Sequence, residues 1–158
     1  MIIRTFWGVF DIYPSGEKFM GEDENRLIKN RHTILLVDDE LTIIETICEL
    51  LERLGYKVIC AENGEQAIDL FKQECNEIDV VILDMLMPGM NGKEAFFHIR
   101  NIRPDIPVIF ASGYNYNDQI NDGISGKASS FIQKPYSFSG LHLEIQKVLI
   151  DKNSSAKI

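Results

Sequence analysis

An open α/β fold, a doubly wound sheet of five parallel strands, is predicted by three observations. Short runs of aliphatic and β-branched residues recur five times after Thr33. Segments with apolar residues at three- and four-residue spacing lie between them, and four of the five runs end in Asp, Ser or Lys. Strict alternation of strand and helix calls for a parallel sheet covered on both faces by right-handed crossovers.

The first run, Thr33-Ile34-Leu35-Leu36-Val37, has the continuous apolar character of a strand buried on both faces and stops at Asp38-Asp39-Glu40. Leu41, Ile44, Ile47, Cys48, Leu51 and Leu54 then trace one face of a helix closed by Gly55. The unit repeats as strand Lys57 to Ala61 and helix Glu65 to Glu74, then strand Asp79 to Leu83 and helix Lys93 to Arg100, with Pro88-Gly89 and Asn91-Gly92 marking the turn between the latter pair. Strand Ile106 to Phe110 precedes a fourth helix over Tyr116 to Asp122. Strand Ser130 to Gln133 passes through Pro135 into a fifth helix from Phe138 to Ile150. A flavodoxin-like (βα)5 sheet of order 2-1-3-4-5 is the expected arrangement, in which ligands bind beyond the carboxyl ends of the strands.

Residues 1–31 lack this rhythm and read as an N-terminal extension or linker, residues 32–151 as the folded body, and 152–158 as a frayed tail. The 158-residue chain has a net charge of −8. The first 31 residues balance five acids (Asp11, Glu17, Glu22, Asp23, Glu24) against five bases (Arg4, Lys18, Arg26, Lys29, Arg31), so the excess acid lies in the body. Such a body repels phosphate backbones and anionic headgroups, which argues against direct nucleic-acid binding, and it favours a divalent cation. The apolar stretch Met1 to Phe10 is interrupted by Arg4 and too short to span a bilayer, so no membrane insertion is expected. Cys48, Cys60 and Cys75 form no CxxC pair and read as reduced thiols in a cytoplasmic setting, Cys48 and Cys60 as small hydrophobes.

The strand ends carry the chemistry: Asp38 and Asp39 after the first, Asp84 after the third, Ser112 after the fourth and Lys134 after the fifth. Singly, each has an ordinary explanation, since Asp pairs, Ser after a strand and Lys-Pro before a helix are common turn sequences. Together on one edge of a parallel sheet they form a constellation. Three carboxylates brought together raise one another's pKa unless a cation compensates them, and an all-oxygen donor set suits Mg²⁺ better than Ca²⁺, which takes more protein ligands. Beside that ion Asp84 can act as a nucleophile toward a phosphoryl group, with Lys134 and the Ser112 hydroxyl meeting its other oxygens.

Ile34 to Glu40, Val81-Ile82-Leu83-Asp84-Met85-Leu86-Met87-Pro88-Gly89-Met90-Asn91-Gly92, Ala111-Ser112-Gly113 and Lys134-Pro135 resemble the motifs of response-regulator receiver domains of two-component signalling. The resemblance covers about residues 32–150. It implies that Asp84 accepts phosphate from the phosphohistidine of a sensor histidine kinase or histidine phosphotransfer domain. It also implies that Asp39, Asp84 and the Leu86 backbone carbonyl coordinate Mg²⁺ while Asp38 acts mainly through a bound water. Ser112 and the aromatic three residues before the lysine, Phe131, are the implied switch pair; many relatives have Tyr there, and Phe131 has only its ring. Leu86 and Tyr114 occupy the positions that tune acyl-phosphate lifetime in the family, and neither is a carboxamide or carboxylate; slow self-dephosphorylation is expected, because Leu86 cannot orient a hydrolytic water and Tyr114 can shield the phosphoryl group. Gly55-Tyr56 and Phe131 to Pro135 are similar to receiver modules at the C-terminal end of hybrid sensor kinases, and Phe10 to Ser15 weakly resembles the exit of a kinase ATP-binding domain, so residues 1–31 are a candidate kinase-domain remnant.

Rival readings fit less well. A phosphatase of the haloacid dehalogenase type needs an acid two residues after the nucleophile, where Leu86 stands. A nucleotide site needs a Gly-rich loop where Asp38-Asp39-Glu40 lies. A module that had lost phosphorylation would lack part of the acidic set. His32, His98 and His142 read as solvated or packing residues, so the chain is an acceptor that catalyses only its own phosphorylation and dephosphorylation. With few residues after the fifth helix, output is expected through contacts of the fourth helix, fifth strand and fifth helix, a candidate homodimer face.

Overall fold

The computed structural model describes residues 32–113 and 130–155. Its elements run β1 (Thr33–Val37), α1 (Leu41–Arg53), β2 (Lys57–Ala61), α2 (Gly64–Glu74), β3 (Ile78–Asp84), α3 (Gly92–Ile102), β4 (Val108–Ser112), β5 (Ser130–Gln133) and α4 (Phe138–Ser155). All strand pairs are parallel and the sheet order is β2-β1-β3-β4-β5, as expected. The expected fourth helix, over Tyr116 to Asp122, and the whole 1–31 extension lie outside the described residues, as does Tyr114.

Alternation along each strand explains why helices cover both faces. Leu35, Val37, Val81, Leu83 and Phe110 point to one side, where Ala67 and Phe71 of α2 and Ala95, Phe96 and Ile99 of α3 meet them. Ile34, Leu36, Val80, Ile82 and Ile109 point to the other, against Ile47 and Leu51 of α1 and Leu141, Ile145 and Val148 of α4. A fully buried Leu, Ile or Phe contributes about 1.5–3 kcal/mol, so these two layers dominate the stability. β1, central and buried along its whole length, and β2, half-exposed at the sheet edge, differ as their positions require.

Local signals set the helix limits. Asn63 caps α2 by accepting from the Gln66 N–H at 2.8 Å. At α3, Asn91 and Glu94 form a reciprocal capping box. Gly55 takes φ of 91° where α1 ends. Several element limits differ by a few residues from the sequence expectation, and three of these bear on the site and the sheet ends. β3 includes Asp84, and β4 starts at Val108 rather than Ile106, so Asp84 and Ser112 are the last residues of their strands instead of the first beyond them. Pro107, which lacks an N–H, precedes β4 and contributes its carbonyl to Val81 N–H instead. α4 runs past Ile150 to Ser155, taking in Lys152, which the sequence places in the tail; its ammonium lies 3.2 Å from Asp79 Oδ1.

Candidate functional site

Parallel pairing aligns the strand ends. The Asp38 N–H donates to the Ala61 carbonyl, Met85 N–H to Ala111 and Lys134 N–H to Ser112, so the ladder continues one step beyond each strand and holds these residues at one level. Asp38, Asp84 and Ser112 are the polar groups buried at this edge, while Asp39 is exposed.

One carboxylate oxygen from each of Asp38, Asp39 and Asp84 lies within 4.8 Å of the others. Lys134 reaches into the same space: its ammonium is 2.6 Å from Asp38 Oδ2 and 2.8 Å from Asp84 Oδ2. The remaining oxygens of those two acids are held by backbone, Asp38 Oδ1 by the Glu40 N–H at 3.0 Å and Asp84 Oδ1 by the Leu86 N–H at 3.2 Å. Burial pushes the Asp84 carboxyl above its usual range, with Asp38 adding to the effect and Lys134 and the Leu86 N–H opposing it. Burial alone would depress Lys134, but its bonds to the two carboxylates hold it above the ordinary ammonium value.

With all four groups ionised, three carboxylates against one ammonium leave a formal charge of −2 at the carboxyl edge of the sheet. The donors are hard oxygens, and Asp39 presents its carboxylate to solvent. That set fits a hard divalent cation in number, type and charge.

Sequence reasoning assigned Lys134 to an incoming phosphoryl oxygen and did not anticipate that it bridges Asp38 and Asp84. Spacing along the chain carries no signal for a contact across 96 residues. Gly92 was also missed as a determinant of the site. A Cβ there would fall inside the carbonyl oxygen of Asp84 and 2.9 Å from the Asp84 carbonyl carbon and Met85 Cα, and its N–H donates to the Met85 carbonyl. The start of α3 can pack directly on the backbone of Asp84 only because this residue has no side chain. Gly89, with φ of 74°, makes the turn that brings α3 back to the strand end.

Phe131 is half-buried and stacks on Phe110 at 5.4 Å with 28° between the rings. Tyr136, two residues beyond Lys134, is also half-buried, and burial raises its phenol above the ordinary value. Leu86 exposes its side chain beside the pocket. Of the histidines, His142 meets Tyr56 edge-on and His98 is exposed, while His32 lies 3.2 Å from an Asp79 carboxylate oxygen at the opposite end of the sheet, a contact the sequence does not predict.

A buried acid pair bridged by a lysine at the carboxyl edge of a 2-1-3-4-5 sheet defines a class of signalling domain, and residues 34–146 match the profile described as "Response regulator receiver domain". The chain belongs to that family, whose members serve two-component signalling with histidine kinases or phosphotransfer proteins as partners. It is 32% identical over 119 residues to the transcriptional regulatory protein CrdR of Helicobacter pylori, covering 75% of this chain and 55% of that protein. The chain thus spans about half the length of the curated regulators it matches. Among solved structures, a response regulator receiver domain protein from Clostridium thermocellum superimposes with a TM-score of 0.72 at 33% identity, over 77% of this chain and 97% of that one. The response regulator TrrA of Thermotoga maritima, solved with Mg²⁺ and beryllium fluoride, gives 0.66 at 35% identity, over 74% of this chain and 98% of that one. Among the described residues no helix is long and apolar enough to cross a membrane.

Proposed function

We propose that Asp84 is the phosphoacceptor of this receiver and that the pocket catalyses its own phosphorylation and dephosphorylation. The observation that carries this reading is the formal −2 charge left by Asp38, Asp39 and Asp84 around the Lys134 ammonium. Asp38, Asp39 and Asp84, with the Leu86 backbone carbonyl, would hold Mg²⁺. When bound, that ion supplies charge neutralisation for the carboxylates and the entering phosphoryl group. An Asp84 carboxylate oxygen attacks phosphorus, the P–N bond of a donor phosphohistidine breaks, and the imidazole nitrogen keeps the electron pair. Lys134, already at the Asp84 carboxylate, is placed to meet one phosphoryl oxygen, and the Ser112 hydroxyl, at the end of the neighbouring strand, another.

The donor would be a sensor histidine kinase or a histidine phosphotransfer domain. Movement of Ser112 toward the phosphoryl group would free Phe131 to shift against Phe110, passing the change to β5 and α4, the candidate docking or dimer face. The exposed, apolar Leu86 cannot orient a hydrolytic water, which supports a long-lived acyl phosphate, with Tyr114 shielding the phosphoryl group. Residues 1–31 would serve as a linker or kinase-domain remnant ahead of a receiver body over 32–151.

The test is incubation with acetyl phosphate and Mg²⁺ followed by intact mass. One acid-stable, base-labile phosphoryl group is expected, absent in Asp84→Ala and without EDTA-resistant formation. No adduct, or an undiminished one in Asp84→Ala, overturns the assignment. The lifetime reading predicts that Leu86→Asn shortens the half-life severalfold; a half-life of seconds in the unsubstituted protein refutes it.

A further inference from the structure

Cys48 lies midway along α1 and Cys60 is the penultimate residue of the edge strand β2. Their sulfurs are 3.1 Å apart, about 1 Å more than a covalent S–S bond of about 2.04 Å. Among the described residues both cysteines are only partly buried, and Cys60 lies on the strand at one end of the sheet order. Neither sulfur takes part in the acidic pocket, yet the pair brackets it. α1 starts two residues after Asp39, and Ala61, next to Cys60, accepts the Asp38 N–H.

The two thiols are not equivalent. The hydrogen bond from Cys60 draws the Cys48 thiol below its ordinary value against burial and the nearby Glu52. The same bond, with burial, pushes Cys60 up. Cys48, which accepts the 3.1 Å contact from Cys60, is the sulfur placed for first oxidation and Cys60 the one placed to resolve it.

We propose that Cys48 and Cys60 are a redox-modification site, at which a peroxide-class oxidant produces a reversible intramolecular disulfide stapling α1 to β2. The Cys48 thiolate attacks one peroxide oxygen, the O–O bond breaks, hydroxide leaves and Cys48 becomes a sulfenic acid. The Cys60 sulfur then attacks the Cys48 sulfur and displaces its hydroxyl, which departs as water with the Cys60 proton. In total two thiols and one peroxide give one disulfide and two waters, the sulfurs losing the two electrons that the peroxide gains. The link closes the short chain segment between the two residues and secures the loop bearing Asp38 and Asp39 from both sides. A crosslink that forms without displacing α1 or β2 restricts the unfolded chain and raises the unfolding midpoint.

The experiment treats the folded chain, both unsubstituted and as Cys75→Ser, with hydrogen peroxide in native buffer, followed by acid quench, denaturation, alkylation and peptide mapping. Expected are a mass loss of about 2 Da, protection of Cys48 and Cys60 from alkylation, a peptide linking them, and return of both thiols with dithiothreitol. The oxidised form should unfold several degrees higher, and Cys48→Ser and Cys60→Ser should show no intramolecular link. Sulfinic acid on an unlinked Cys48, an intermolecular disulfide, two alkylatable thiols after treatment, or a lower unfolding midpoint in the linked form each overturns the proposal.

Discussion

Replacing Gly92 by Ala tests how Asp84 is positioned. The added Cβ would overlap the Asp84 carbonyl oxygen and sit 2.9 Å from two further backbone atoms, none of which can rotate away as a side chain does. Either the first turn of α3 or the end of β3 must move. Overpacking of this kind costs about 1–3 kcal/mol, and loss of the Gly92 N–H bond to the Met85 carbonyl adds about 1 kcal/mol. The higher helix propensity of Ala returns at most about 1 kcal/mol. The net expectation is a loss of about 1–3 kcal/mol, read by urea denaturation. Because the displaced atoms belong to Asp84, phosphorylation by acetyl phosphate should also slow, by as much as about 100-fold for a shift near 1 Å. Gly64→Ala is the matched control: its Cβ would meet the Met90 side chain at 2.8–3.0 Å, which can move, so a change of about 1 kcal/mol or less is expected with the phosphorylation rate kept. Gly92→Ala within about 0.5 kcal/mol of the parent, at an unchanged phosphorylation rate, would refute the reasoning.

Three further outcomes are expected. Asp39→Asn, at the exposed acid of the proposed Mg²⁺ set, should leave metal-free stability within about 0.5 kcal/mol while weakening Mg²⁺ at least about tenfold, which a Mg²⁺ titration of the unfolding midpoint measures as a smaller ion-dependent rise. Asp79 meets burial, which raises its pKa, but the Thr33 N–H, Lys152 and His32 outweigh it and hold the folded carboxyl below its usual value. Its contribution is therefore complete above the unfolded carboxyl value of about 3.9 and disappears as pH falls through the lower folded value. Asp79→Asn should cost about 1 kcal/mol at pH 7, with the difference from the parent shrinking toward zero in urea titrations carried down from about pH 4. Phe131→Ala removes a half-buried ring stacked on Phe110 and should cost about 2 kcal/mol, while Phe131→Leu, which keeps most of the apolar volume, should cost less than about 1.5 kcal/mol by the same denaturation.

The strand–helix alternation and the acids at the strand ends were legible in the chain, because each depends on local pattern, whereas the order 2-1-3-4-5 followed from the doubly wound class and not from periodicity. A run such as Thr33 to Val37 declares a buried strand, and Asp38-Asp39 and Asp84 interrupt apolar runs where a parallel sheet must turn. Strand ends were displaced by one or two residues, since pairing with the neighbour decides where a strand stops: Asp84 pairs with Ala111, and Ser112 with Gln133. What only the tertiary structure decided are the contacts between distant segments. Lys134 bridges Asp38 and Asp84, Gly92 lies against the Asp84 backbone, and Cys60 faces Cys48, although the chain offered the two cysteines only as apolar filler. Periodicity tells which face a residue occupies, whereas strand register and helix placement together determine which side chain it meets there.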